Sequence, residues 1–350
     1  MVIIDEAHCI SLWGGSFRLD YGELGVLRGR LPRHVPIIVA SATLPDHILD
    51  DIRVKLKLSP NAHIVQVTNA RPNVALSCRP MKHAEKSKAD LRFLIPVSAT
   101  KPEDIDITLV YCNQRIKCED SVDNLRFWAK ELGIPVSCIA FYHARIGEKR
   151  KRELEEKLRT GEIRILVCTD AVGMVCLFYM YLIKFLTLST IQGCDMRNVK
   201  RVVLWELPPS FCALVQRAGR AARDFSTLGE SILIVPQSII AKGTTEMEVE
   251  AALEAVQTET ENRGDEEVTT LENNGIQLVD EGGVRVGHES EDDEDEKKEE
   301  KKRKRKQTKA DFNSREAKFL SLFACTTQCR RIVWDDFFAN KTKRTHQYCQ

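Results

Sequence analysis

The chain has 350 residues, 43% of them hydrophobic and 29% charged, with a net charge of +1 at neutral pH. That length allows two domains with cores of their own, and the balance fits a soluble, globular, intracellular protein. Its 12 cysteines are scattered singly through apolar segments, which excludes a disulfide-dense secreted scaffold, and the opening MVIIDEAH is too short and acidic for a signal peptide. The near-zero charge says nothing about partners, because an acidic run at residues 289–300 is followed by the basic run KKRKRK from Lys301 to Lys306.

In chain order, MVII is a short β-branched run that ends in the polar loop DEAHC, and VPIIVA (35–40) is a second that ends in SATLP. LPDHILDDIRVKLKL (44–58) has helical periodicity, and HIVQVT (63–68) reads as one more strand. RPN (71–73) and a polar linker follow. From residue 105 the spacing predicts strand 106–112, helix 115–133, strand 136–142, helix 148–161 and strand 163–169. After an almost wholly apolar stretch, Val175 to Gln192, come strand 199–207, helix 210–224 and strand 230–236. Alternation of this kind implies parallel sheets with crossover helices, an α/β chain of two lobes. The divisions expected are 1–68, a linker at 69–104, a second lobe at 105–240, a charged linker without a fold of its own at 241–313, and a terminal segment at 314–350 that regains aromatic residues.

VIIDEAH places two carboxylates at the carboxyl end of a strand, where ligands of open α/β sheets sit. Asp5 there suits a hydrated Mg²⁺, and Glu6 suits orientation of an attacking water; a capped loop with solvated acids is the plainer alternative. Ser41 and Thr43 follow the next strand. In QRAGRAARD, Gln216, Arg217, Arg220 and Arg223 fall on a predicted helix, with the arginines three apart and therefore on one face. Guanidinium forks facing a phosphate are one reading, and a basic solvated helix is the other.

With these blocks in order, the chain resembles superfamily 2 helicases, and through DEAHCISLWGGSFRLDYGELGVLR more narrowly the RecQ family of DNA helicases. TLVYCNQRIKCED, YHA (142–144), RILVCTDAVGM…GCDMRNVKRVV and LVQRAGRAARD are similar to the family's later motifs. The resemblance implies tandem RecA-like lobes and ATP-dependent 3′→5′ unwinding of DNA, with single strands and 3′-tailed duplexes as partners, ATP with Mg²⁺ at the site, and no membrane. It implies Asp5, Glu6, His8, Arg220 and Arg223 as catalytic residues. Ser41, Thr43, Gly173, Gln216 and Arg217 would join them around the nucleotide. Trp13, Phe17, Arg18, Tyr142, His143 and Thr169 would touch DNA, and an aromatic beside an arginine suits a single strand. CTTQCRRIVWDDFF resembles the start of the family's zinc subdomain, with Cys329 and Cys349 as implied ligands of an incomplete site. KKRKRK suits nuclear import.

Two features depart from the pattern. No Gly-x-x-x-x-Gly-Lys-Ser/Thr occurs anywhere in the 350 residues, so a partial copy with a truncated first lobe and no ATP hydrolysis of its own is expected. Residues 175–192 interrupt a motif that reads TDAVGMGCDMRNV when they are removed. A bilayer span there would put strands of one sheet on opposite sides of a membrane. A buried inserted helix is the alternative to a translated intron, the reading favoured by the restored motif.

Overall fold

The computed structural model describes residues 1–12, 24–32, 34–170, 196, 198–258 and 310–340. Trp13, Phe17, Arg18, Gly173, Cys349, the stretch 175–192, most of the charged linker and the KKRKRK run lie outside them.

The first elements are β1 (Val2–Ile4), α1 (His8–Leu12), α2 (Gly25–Arg30), β2 (Ile37–Val39) and α3 (Asp46–Lys55). β1 and β2 pair in parallel, Val2 opposite Ile37 and Ile4 opposite Val39. Ile48 and Ile52, one turn apart on α3, are buried under this pair.

The second sheet has six strands, all parallel: β3 (Val74–Pro80), β4 (Thr108–Tyr111), β5 (Ile139–Tyr142), β6 (Ile165–Cys168), β7 (Arg201–Trp205) and β8 (Gly229–Val235), in the spatial order β3-β8-β7-β4-β6-β5. β4 and β6 are buried at every position, as central parallel strands covered on both faces must be. Because side chains alternate across a strand, each strand feeds two cores. Val110, Ile139, Val167, Val203 and Ile232 face α4 (Arg115–Glu131), which contributes Cys118, Val122, Leu125 and Ala129 at helical spacing, and face Leu91 and Leu94 of a 3₁₀ segment. Leu109, Tyr142, Leu166, Leu204 and Leu233 face α5 (Glu148–Thr160), α6 (Phe211–Ala218) and the C-terminal helices. α5 stops at Gly161, whose φ of 82° is the left-handed conformation that ends a helix without steric cost. This is the RecA-like parallel-sheet architecture expected of the second lobe.

Four expectations change. HIVQVT forms no strand: Val65 and Val67 are 78% and 79% exposed, with no ladder partner beside them, and alternation without a partner does not make a sheet. Residues 74–80, inside the segment read as linker, instead form edge strand β3 in register with β8. Its polar sequence, VALSCRP, suits an edge covered on one side, with the proline at its end. Helix 210–224 ends at Ala218, and Ala222 takes a φ of 42°, so the arginines do not share one helical face. Finally, helices α7 (Gln237–Lys242), α8 (246–258), α9 (310–325) and α10 (Arg330–Phe337) continue the same core. Phe211 of α6 meets Phe319, Phe323 and Phe337 with ring centroids 6.0, 5.8 and 4.7 Å away. No helix among the described residues is long and apolar enough to cross a membrane.

Candidate functional site

The carboxyl end of β1 turns sharply. Glu6 has a φ of 49°, rare for a side-chain-bearing residue, and its N–H donates to Asp5 Oδ1 at 2.8 Å. Two backbone bonds join this turn to the end of β2: Ala40 N–H donates to Ile4 O at 2.8 Å, and Ala7 N–H to Ala40 O at 3.0 Å. The DEAH and SAT loops are thereby held side by side.

His8 sits between them, 5% exposed, with Nδ1 2.9 Å from Ser41 Oγ. Burial pushes its pKa down to about 4 against the pull of Asp5, so at neutral pH the ring is uncharged, with one donor and one acceptor nitrogen. From the second lobe, the Gln216 side-chain amide donates to Thr43 Oγ1 at 2.8 Å and lies 3.0 Å from His8 Nε2. A proton on His8 Nδ1 satisfies the whole network. Nδ1–H donates to Ser41 Oγ, the Ser41 hydroxyl donates to Thr43 O at 3.3 Å, and Nε2 accepts from Gln216. One glutamine thus ties both loops of the first lobe to the second.

Glu6 Oε2 is buried, 3.3 Å from His8 Nδ1, and makes no hydrogen bond among the described residues. Its carboxyl is held above the usual range by burial first and by the Asp5 charge second, while Arg220 pulls it down. Arg220 is half-buried beyond the end of α6, and its charge acts on Glu6, which brings its guanidinium within electrostatic reach of the acidic loop. Arg223 lies further along the same turn, half-buried.

Arg217 does something else. It is 2% exposed and points into the lobe, where Nε and Nη2 each donate to the Asp170 carboxylate at 2.7 Å and Nη1 donates to Asn113 Oδ1 at 3.0 Å. Its guanidinium also lies over the Tyr111 ring, 5.5 Å from the centroid. The expected phosphate contact is replaced by a brace between the strand ends of β4 and β6.

The YHA residues are turned inward as well. Tyr142 is fully buried, and its hydroxyl donates to Glu155 Oε1 at 2.7 Å, so it does not present a ring to DNA. His143 is 5% exposed, stacked on Phe141 at 5.2 Å and 3.1 Å from Glu119 Oε1. Tyr142 ends β5, the edge strand opposite β3, and His143 follows it, where α4 and α5 pack against that strand. Thr169 is half-buried, its N–H bonded to Tyr142 O at 3.2 Å. Cys329 is exposed at the start of α10, and no group of three or more metal-ligating side chains occurs among the described residues.

Sequence reasoning missed the segment between the lobes as a structural part. Arg71 donates to the carbonyls of Gly219, Ala221 and Ala222, and Asn73 to those of Ala222, Asp224 and Thr227. Together they hold the turn that carries Arg220. RPN was visible as a motif, but its partners are about 150 residues away, where no local pattern reaches.

Residues 90–224 match the helicase conserved C-terminal domain. The chain is 31% identical to ATP-dependent DNA helicase RecQ of Pasteurella multocida (strain Pm70) over 64% of its own length and 30% of that protein. It is 30% identical to the probable ATP-dependent DNA helicase RecS of Bacillus subtilis (strain 168), over 64% of its length and 39% of that protein. It thus spans well under half the length of either relative. Among solved structures, helicase MrfA bound to DNA and AMPPNP is 21% identical, with a TM-score of 0.48 over 68% of this chain and 31% of that one. That domain and those relatives support a RecQ-family superfamily 2 helicase over the C-terminal lobe.

Proposed function

We propose that this chain carries the catalytic carboxylates and the second lobe of an ATP-dependent, 3′→5′ DNA helicase. The observation that supports it most is the Gln216 amide, which bonds to Thr43 and His8 at once and so makes contact between the lobes a condition of site assembly. In this reading Asp5 holds Mg²⁺, whose contribution is to neutralise phosphate charge. The buried Glu6 Oε2, which makes no hydrogen bond among the described residues, fits a group that orients or accepts a proton from water, and burial has already raised its basicity. Arg220 stabilises negative charge opposite Glu6, with Arg223 in support. Trp13, Phe17, Arg18 and Thr169 are proposed to meet the single strand.

The 350 residues contain no P-loop lysine or glycine cradle for the phosphates, so single-strand binding without turnover is expected of this polypeptide. Anisotropy of a labelled single strand should show binding that weakens steeply between about 50 and 200 mM salt. A phosphate-release assay with ATP, Mg²⁺ and the same strand should stay at background. Absence of any DNA binding would contradict the helicase reading, and DNA-stimulated hydrolysis would contradict the expected lack of turnover.

A further inference from the structure

The segment that joins the lobes, residues 69–74, is gripped from the C-terminal side. Arg331 of α10 donates to Pro72 O at 3.2 Å and to Val74 O at 2.7 Å. Trp334 Nε1 donates to Asn69 Oδ1 at 2.9 Å, and so does Asn340 Nδ2 at 2.9 Å. Asn340 is fixed in turn by Asp335 Oδ1 at 3.2 Å.

These contacts settle which way the Asn69 amide points. Two N–H donors converge on one of its atoms, which must be the oxygen, so the nitrogen faces the other way. There it donates to Ala42 O at 3.5 Å. Ala42 is the middle residue of the SAT loop, between Ser41, which bonds His8, and Thr43, which accepts from Gln216. Asn69 therefore stands between a buried indole on α10 and the loop that receives the inter-lobe glutamine. On the same segment, Arg71 and Asn73 hold the turn beyond Gln216.

We infer that Asn69 is a positioning residue through which the C-terminal helix, by way of Trp334 and Asn340, holds the SAT loop in register with Gln216. Its importance for turnover rests on the proposed function, but its test uses neither nucleotide nor DNA, so the two can fail separately. The inference assigns the C-terminal helices a role in the site that packing alone would not give them. A helix that merely filled the aromatic cluster around Phe211 and Phe337 would need no hydrogen bond to the loop between the lobes.

The readout is the ring of His8, which touches neither Asn69 nor Trp334 in the chain of contacts described. In the full-length chain with ¹⁵N-labelled histidine, the His8 signals are assigned by their loss in His8→Gln. At neutral pH they should report a single tautomer with the proton on Nδ1. Asn69→Asp keeps the size and the acceptor for Trp334 but sets an oxygen against Ala42 O. It should leave the Trp334 indole N–H shift in place and turn the His8 pattern into a mixture of tautomers. Trp334→Phe keeps an aromatic ring and removes the donor, and it should disturb both signals. Unchanged His8 signals in Asn69→Asp, with the protein folded by circular dichroism, would overturn the inference. Should Trp334→Phe fail to fold, the near-isosteric Asn69→Asp still decides it.

Discussion

Arg217→Ala should lower folding stability by about 3–5 kcal/mol, the usual cost of removing one partner from a buried ion pair. The guanidinium makes a two-bond fork to Asp170 and a third bond to Asn113, all inside the lobe. Its loss leaves a carboxylate and an amide oxygen without their donors, at the ends of the strands on which the sheet depends. Arg217→Lys keeps the charge but not the fork, and should fall between wild type and alanine. Urea unfolding followed by tryptophan fluorescence measures both. A loss below about 1 kcal/mol for Arg217→Ala, as expected of a surface ion pair, would restore the solvent- or phosphate-facing arginine suggested by the sequence spacing.

Glu316→Gln should remove a fall in stability that the wild-type chain shows as pH rises through weak acid. Glu316 is fully buried on α9, where its carboxylate accepts from the Phe211 N–H at the start of α6, and its Oε1 has no hydrogen-bond partner among the described residues. Burial raises its pKa from 4.5 to about 7, opposed by the Phe211 amide and the Arg315 charge. Below pH 4.5 the group is protonated whether the chain is folded or not. Between 4.5 and 7 the unfolded chain releases the proton while the folded chain keeps it, so stability declines. Above 7 both states have lost it and the decline stops. The pKa difference corresponds to about 3 kcal/mol. Glutamine retains the acceptor for Phe211 and has no charge to bury. The difference in unfolding free energy between the two proteins should grow across that window and then level off. A difference that stays flat with pH would place the carboxylate in water.

The strands of the second lobe were legible because central parallel strands are continuous apolar runs, and β4, β6 and β7 are that. The edge strand β3 was not legible, since an edge covered on one side tolerates Ser77, Arg79 and Pro80, which read locally as linker. The converse error occurred at Val65 and Val67, where a good strand pattern has no neighbour to pair with. In the site, Asp5, Glu6, His8, Ser41, Thr43 and Gln216 could be named from motifs, and the structure brings His8, Ser41, Thr43 and Gln216 into one network beside Glu6. The roles of Arg217 and Tyr142 could not be read in this way. Whether an arginine or a tyrosine faces inward depends on where α6 ends and on what covers β5, and neither is a local property. Asn69 and Glu316 carried no motif at all, and Arg331 and Trp334 stood only inside the stretch that resembles a zinc subdomain; the importance of all four comes from partners distant in sequence.

The bond from Gln216 to Thr43 is the central link between the two lobes. A double-mutant cycle with Gln216→Ala and Thr43→Val, read by urea unfolding of the full-length chain, tests it without nucleotide or DNA. A coupling between about 0.5 and 3 kcal/mol is predicted for side chains in direct contact. Additivity within about 0.3 kcal/mol would show that the lobes are not joined there, and would contradict the account.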